Sequence, residues 1–242
     1  MQKELRKLLT VQTEDGECAF LMPGDYEQII EHGEMSYGEK VFLSFLIATG
    51  VRYREFYRLS VTPELFMPER KTIRVEEVKT KRRNKMKFRN IKLSDWGLKI
   101  ANRFYEINYT MPILTKHFKD PSHYDPESIV NGVKKRTIRE HDMQYRWYYE
   151  TQANYYLGKW AKKSGIDPAH FTVKSLRKTT VMWLVASHPN REGDIVMSIG
   201  HSVQTDLNNY RSTPFNAEDV LKARKYMGGW GFEDIPTPER PF

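Results

Sequence analysis

The sequence predicts an α+β domain that is mostly helical and carries one small antiparallel β-hairpin. Three observations predict this fold class. Apolar residues recur at helical spacing through most of the chain, one stretch alternates apolar and polar residues instead, and no repeat or Gly/Ser-rich linker divides the 242 residues. We therefore expect one domain over residues 24–227 with an insertion at about 111–152, an N-terminal tail (1–23) and a C-terminal tail (228–242).

The first predicted elements are two helices separated by a short break, followed by the hairpin. Residues 37–59 have helical apolar spacing, which Thr49-Gly50 interrupts. Residues 72–93 then alternate around the polar stretch 79–85. The apolar members of this alternation are Ile73 and Val75, Met86 and Phe88, and Ile91 and Leu93. The pattern predicts a β-hairpin with a basic, mobile tip.

The rest of the chain predicts a set of helices and two irregular stretches. Asp95 can cap the first of these helices and Gly165 can end the second. Prolines predict a loop over residues 111–125 and an extended tail over 228–242. The predicted helices span residues 95–108, 136–163, 175–187, 190–199, 204–211 and 217–227.

Charge and cysteine content exclude several classes of protein. Lysine and arginine number 39 against 31 acidic residues, a net charge of +8, with basic clusters at 79–92 and 134–139. This balance favours a polyanionic partner such as nucleic acid. Cys18 is the single cysteine, which excludes an intrachain disulfide and gives no support to a cysteine zinc site or a secreted scaffold. No apolar run reaches the ~18 residues of a membrane span and no signal peptide is present, so we expect a cytoplasmic protein without a membrane partner.

Three short motifs carry the candidate chemistry. Residues 48–55 read Ala-Thr-Gly-Val-Arg-Tyr-Arg-Glu, residues 174–177 read Lys-Ser-Leu-Arg, and residues 199–202 read Ile-Gly-His-Ser. Tyr210 follows His201 by nine residues. Cutting a phosphodiester without metal requires a nucleophile, cations around the phosphate oxygens and a proton donor for the leaving oxygen. The motifs supply candidates for each of these needs, and no metal-ligand spacing or phosphate-binding glycine loop is present.

Together these motifs resemble those of the tyrosine recombinases, also called the lambda or phage integrase family. The first is similar to the family's Thr-Gly-x-Arg-x-x-Glu box, the second to its His-x-x-Arg box, and the third keeps its spacing between the last histidine and the tyrosine. The resemblance covers about residues 24–227, except for the insertion. It implies a mostly helical catalytic domain with a small β-sheet, which breaks and rejoins DNA through a 3′-phosphotyrosine without metal, cofactor or ATP.

The resemblance also implies a role for each matched residue. Tyr210 is the expected nucleophile, and Arg52 and Arg177 are expected to hold the scissile phosphate. His201 is expected to hydrogen-bond the same phosphate or to accept a proton. A hairpin lysine is expected to protonate the leaving 5′ oxygen, for which Lys79 is the best match and Lys81 the second.

Lys174 is the main departure from the family pattern, because the second box most often begins with histidine. Type IB topoisomerases share the chemistry and are similar in carrying a lysine at this position. A lysine can donate hydrogen bonds to the phosphate. The group that activates Tyr210 stays open between His201, water and Lys174.

The expected partner is double-stranded DNA carrying a recombination site, on which four protomers assemble. Aromatic residues interleave with the basic residues of the insertion, a pattern that can bind nucleic acid or line an amphipathic helix. The helix over residues 217–227, with Trp230 and Phe232, is a candidate for exchange between protomers. The expected DNA contacts are Lys81, Arg82, Arg83 and Lys85 in the hairpin and Lys134, Lys135 and Arg136 in the insertion.

Two alternatives to a recombinase stay open. Lys174 favours a nicking-closing enzyme resembling type IB topoisomerases, and a DNA-binding relative without catalysis is of a different class. Among recombinases, the lysine and the long insertion favour an integrase of a virus or mobile element over a chromosome-dimer resolvase. The high content of Lys, Arg and Glu is compatible with a thermophilic, archaeal host.

Overall fold

A computed structural model describes residues 4–13, 16–76, 88–109, 129–130, 133–134, 150–200 and 215–231. Helices predominate in these ranges, which confirms the α+β, mostly helical fold class. The helices are α1 (Pro23–His32), α2 (Tyr37–Thr49), α3 (Tyr53–Val61), α4 (Asp95–Tyr109), α5 (Glu150–Lys163), α6 (Val173–Ser187), α7 (Glu192–Ile199) and α8 (Ala217–Met227). The strands are β1 (Leu9–Thr13), β2 (Gly16–Phe20), β3 (Phe66–Met67), β4 (Thr72–Glu76), β5 (Phe88–Lys92), β6 (Ile129–Val130) and β7 (Val133–Lys134).

The predicted hairpin is confirmed as the antiparallel pair β4–β5, in which Ile73 faces Ile91. The sequence did not predict β3, a two-residue strand that pairs with the other edge of β4. Residues 77–87 lie outside the described residues. The predicted basic tip lies there, with its candidate site residues Lys79, Lys81, Arg82, Arg83 and Lys85.

The predicted side-chain alternation of β5 is wrong at Phe88. Phe88 was expected on the apolar face, but its side chain is exposed and lies 4.3 Å beneath the guanidinium of Arg74. Ile91 and Leu93 face the core as predicted, and Arg89 faces it with them. Successive side chains point to opposite faces of a strand, so residues two apart share a face. Because Ile91 and Leu93 are buried, Arg89 also lies on the buried face.

The N-terminal tail was also predicted wrongly, because β1 and β2 form an antiparallel hairpin whose second strand enters the core. Phe20 and Leu21 are fully buried. The backbone N–H of Leu21 donates to Thr179 Oγ1 at 2.9 Å, and Trp183 Nε1 donates to the Leu21 carbonyl at 2.8 Å. The buried end of β2 and Leu21 thus pack on α6, and α1, also unpredicted, follows directly.

Helix α2 and the break after it are confirmed. Ser36 and Glu39 cap the helix reciprocally, each side chain accepting the other's backbone N–H. Residues 41–49 are all buried, and Phe45 stacks on Phe104 of α4 with ring centroids 4.0 Å apart. Gly50 ends the helix in the left-handed conformation, with φ 58°.

Helix α6 lies at the centre of the domain and contacts α2, α5, α7, α8 and β2. It begins two residues before its predicted start and is buried along most of its length. Trp183 on α6 stacks on Tyr226 of α8 with ring centroids 5.1 Å apart. Helix α8 therefore packs on its own chain in this structure, through Ala223, Tyr226 and Met227.

The first residues of the predicted C-terminal tail belong to the core, which corrects the predicted boundary. Trp230 is 2% exposed and contacts the ring of His188 and the guanidinium of Arg191. The backbone N–H of Asp95 donates to the Gly228 carbonyl at 3.0 Å. Trp230 thus packs this end of the chain against the segment between α6 and α7.

Other predictions fall wholly or partly outside the described residues. Helix α5 confirms residues 150–163 of the predicted helix 136–163, and the remainder lies outside. The predicted helix 204–211 and the tail beyond residue 231 also lie outside, including Phe232. Within the insertion the structure describes β6, β7 and the first three residues of α5. Among the helices it describes, none combines the length and apolar character needed to cross a bilayer.

Candidate functional site

The site is built around the turn between α2 and α3. Gly50 adopts φ 58°, a conformation that costs an L-residue with a side chain about 1–2 kcal/mol. A Cβ atom at this position would also lie 2.9 Å from Ile199 Cδ1 and 3.0 Å from Thr180 Cγ2. Glycine is therefore required both by the backbone conformation and by the close approach of α6 and α7. The turn places Arg52 at the N-cap of α3.

The side chain of Arg52 is held by two partners and is 27% exposed. Its Nη1 donates to Glu55 Oε1 at 2.9 Å, and its Nη2 donates to the carbonyl oxygen of Gly200 at 2.9 Å. The backbone N–H of Arg52 donates to Glu55 Oε2 at 2.9 Å. The guanidinium is thus fixed in orientation, while the Arg52 side chain stays partly exposed.

Glu55 is fully buried and also pairs with Arg89 of β5, whose side chain is 5% exposed. Arg89 Nη1 donates to Oε1 at 2.9 Å and Nη2 donates to Oε2 at 2.7 Å, a two-pronged pair. Burial alone would raise the pKa of the Glu55 carboxyl. The hydrogen bonds and positive charges of Arg89 and Arg52 outweigh burial and lower the pKa to about 2.

Arg177 lies on α6 and is buried, with its guanidinium directed at the same region. Its Nη1 donates to the carbonyl oxygen of Gly50 at 2.6 Å, and its Nη2 donates to that of Ile199 at 2.7 Å. Arg177 therefore joins the turn before Arg52 to the end of α7. The first and second motifs and the start of the third meet at this point.

Three arginines cap the last turn of α7. The last carbonyl groups of a helix have no partner within the helix and carry a partial negative charge. Here three successive carbonyl oxygens each accept a hydrogen bond from a different guanidinium. The pairs are Arg89 Nε with Ser198 at 3.1 Å, Arg177 Nη2 with Ile199 at 2.7 Å, and Arg52 Nη2 with Gly200 at 2.9 Å.

Gly200 ends α7 in the left-handed conformation, with φ 74°, and a Cβ atom there would lie 2.8 Å from Arg89 Cδ. The arginine cap thus fixes the last described residue before His201. Guanidinium groups clustered around the partly exposed Arg52 form an arrangement that suits phosphate. The forked N–H donors of a guanidinium match the oxygen atoms of a phosphate group.

Solved structures resemble this fold, although no protein-family model matches the chain and no curated protein matches it in sequence. The structure of XerA recombinase matches with a TM-score of 0.54 and 18% identity over 86% of this chain and 64% of that one. XerH site-specific recombinase, bound to its difH substrate before cleavage, matches with a TM-score of 0.52 and 15% identity. The match covers 89% of this chain and 53% of the XerH chain. The Tn1549 transposon integrase, in complex with a circular intermediate DNA, matches with a TM-score of 0.51 and 15% identity. The match covers 86% of this chain and 65% of the integrase chain.

The chain has the tyrosine recombinase fold. It spans between half and two thirds of the length of these recombinases.

Of the six catalytic residues predicted from the sequence, the structure describes three. The structure brings Arg52 and Arg177 together, on adjacent carbonyl groups. Lys174 is exposed in the first turn of α6, one turn before Arg177. The other three, His201, Tyr210 and Lys79, lie outside the described residues, as do Lys135 and Arg136 of the predicted DNA contacts. Lys134 is described only as part of β7, without its side chain.

Arg89 is a site residue of this recombinase fold that the sequence analysis missed. The signal was present in the strand pattern, since Arg89 is in phase with Ile91 and Leu93 and therefore falls on the apolar face. A charged side chain on a buried face requires a partner of opposite charge. Glu55 in the first motif is that partner, and the pairing of the two could have been predicted.

Proposed function

We propose that the chain is a DNA strand-breaking and rejoining enzyme, a site-specific recombinase that acts through a 3′-phosphotyrosine at Tyr210. The observation that carries this proposal is the arginine cap on α7. Arg52 and Arg177 are 125 positions apart in the sequence, yet they donate to adjacent carbonyl groups directly before His201. A fold shared with tyrosine recombinases and this convergence of the three motifs support the same site.

The proposed reaction is a transesterification. Tyr210 gives its phenolic proton to His201, water or Lys174, and its oxygen attacks the phosphorus. The bond from phosphorus to the 5′ oxygen then breaks, and Lys79 gives a proton to that oxygen. Arg52 and Arg177 stabilise the charge that grows on the non-bridging oxygens. His201 hydrogen-bonds the phosphate, and Lys174 donates a further hydrogen bond from the exposed first turn of α6. Rejoining reverses these steps, so that the bond energy is retained without ATP.

Duplex DNA is the proposed substrate, because the similar XerH and Tn1549 structures contain DNA. The proposed contacts are the basic hairpin tip and the basic residues of the insertion. The likeness to a transposon integrase supports a role in integrating a virus or mobile element, with four protomers assembled on two duplexes in the cytoplasm of the host cell. We propose residues 24–227 as the catalytic domain, extended by the segments that β1–β2 and Trp230 contribute to the core.

A covalent adduct tests this proposal. The protein is incubated with nicked suicide duplexes tiled across the DNA that flanks its gene, and adducts are separated on a denaturing gel. We expect a protease-sensitive covalent band that Tyr210→Phe abolishes. Tyr155→Phe is the matched control, because Tyr155 is 67% exposed on α5 and its loss should leave the band unchanged. A band that persists in Tyr210→Phe would show that another residue is the nucleophile.

The nicking-closing alternative, which Lys174 favours, predicts a different product. A recombinase should exchange strands between two copies of one short site, whereas a topoisomerase-like enzyme should relax supercoiled plasmid of any sequence. Relaxation of a plasmid that lacks the adduct-forming site, without exchange between sites, would favour the alternative. Duplex binding without any covalent band from the wild type would favour a relative that has lost catalysis.

A further inference from the structure

The first motif contains an electrostatic conflict. Arg52, which the proposed function requires as a cation, is paired at 2.9 Å with the carboxylate of Glu55. A pair of one positive and one negative charge has no net charge. Glu55 is fully buried, so its charge is not screened by solvent, and its attraction for Arg52 is correspondingly strong. Taken alone, this pair would offer little net attraction to a phosphate.

Arg89 supplies the missing charge. It occupies both oxygens of Glu55 through its two terminal nitrogens at 2.9 and 2.7 Å, the shorter of which is shorter than either contact of Glu55 with Arg52. The trio of two arginines and one glutamate has one net positive charge. Arg89 is itself buried, and Arg52 is the member of the trio that reaches solvent. The net positive charge is therefore presented through Arg52.

We propose that Arg89 is a positioning residue that neutralises Glu55 and so keeps the charge of Arg52 available to the scissile phosphate. This inference rests on the proposed function, because it assumes that Arg52 contacts phosphate. Glu55 then has a purely orienting role: its four hydrogen bonds fix Arg52 and Arg89, while the second arginine cancels its charge. Without Arg89, the carboxylate would bind Arg52 more tightly and compete with the phosphate for the guanidinium.

A simpler role for Arg89 must be separated from this one. Its Nε also donates to the Ser198 carbonyl at 3.1 Å, so the side chain could serve only to hold the end of α7. The two roles differ in their dependence on Glu55. If charge compensation matters, removing the negative charge of Glu55 should relieve the need for Arg89. If only the contact with Ser198 matters, the Glu55 substitution should give no relief.

The test compares Arg89→Met, Glu55→Gln and the double variant with the wild type. Two quantities are measured: the rate constant of covalent adduct formation at saturating suicide duplex, and the dissociation constant of inorganic phosphate from ³¹P NMR line broadening. Arg74→Met is the matched control, since it removes an arginine from the neighbouring strand whose guanidinium lies over Phe88. Urea unfolding of each variant identifies any protein that is not folded under the assay conditions.

We expect Arg89→Met to slow adduct formation by roughly 100-fold, the scale of a misplaced catalytic group, and to weaken phosphate binding by about 10-fold. The double variant should recover at least about 10-fold of the lost rate, and Arg74→Met should match the wild type. A folded double variant that is as slow as Arg89→Met, or slower, would overturn the proposal. Wild-type protein that binds phosphate, with the expected response of the variants, but forms no adduct would refute the proposed strand-breaking function and leave the inference about charge standing.

Discussion

Glu55→Gln offers the sharpest test of the energetics of the site, because it keeps the size of the side chain and removes one buried charge. The pKa of the Glu55 carboxyl is about 2, below the ordinary value of 4.5. One pKa unit corresponds to about 1.4 kcal/mol, so the ionised carboxylate stabilises the folded state by about 3 kcal/mol at neutral pH. The cost of breaking a buried ion pair, about 3–5 kcal/mol, is of the same size.

The pH dependence of this effect follows from the direction of the shift. The folded-state pKa is depressed, so the stabilising contribution is complete above the unfolded-state value of 4.5 and is lost as the pH falls towards about 2. Urea unfolding should therefore show Glu55→Gln less stable than the wild type by about 3 kcal/mol at pH 7, and by about 1 kcal/mol near pH 3. Comparing the two proteins cancels the titration of every other group.

Glu69→Gln is the matched control, since it alters an exposed carboxylate on the short helical turn before β4. It should change the free energy of unfolding by less than about 0.5 kcal/mol at either pH. Two results would refute the reasoning. The first is a loss below about 1 kcal/mol for Glu55→Gln at pH 7, and the second is a loss that stays constant between the two pH values.

Two further substitutions test other contacts of the same region. Gly50→Ala should lower the melting temperature by about 4–8 °C, because the left-handed turn and the approach of Ile199 to 2.9 Å together cost about 2 kcal/mol; an unchanged melting temperature would argue against this turn. Trp230→Ala should destabilise the protein by about 3 kcal/mol in urea unfolding, because the side chain is buried against His188 and Arg191; a loss below about 1 kcal/mol would show that this end of the chain does not dock as described.

The parts of the fold that were predicted are those with long, regular patterns. The apolar spacing of α2 and the Thr49-Gly50 break after it required only local information, and both are confirmed. The hairpin β4–β5 was predicted from its alternation, but its phase was not. Met86 and Phe88 suggested one phase while Ile91 and Leu93 suggested the other, and only packing on the core decides between them.

The N-terminal hairpin and Trp230 were missed for a different reason. Strands of five residues have little periodicity, and their burial depends on α6, whose residues lie far away in the chain. Within the candidate site, the motif spacing predicted that Arg52 and Arg177 act together. It could not predict that both would donate to the end of α7. Every residue has a backbone carbonyl group, so the sequence does not show which of these groups will accept a hydrogen bond.

The arginine cap on α7 has a consequence for the order in which the protein folds. Its three hydrogen bonds join residues 148, 109 and 22 positions apart. Contacts that close such long loops carry a large entropic cost and form only after most of the chain has collapsed. A nascent chain that has not yet emerged beyond α7 has no carbonyl groups on which to arrange the arginines. The three guanidinium groups therefore take up their arrangement late in folding, once α7 has packed against α3, β5 and α6.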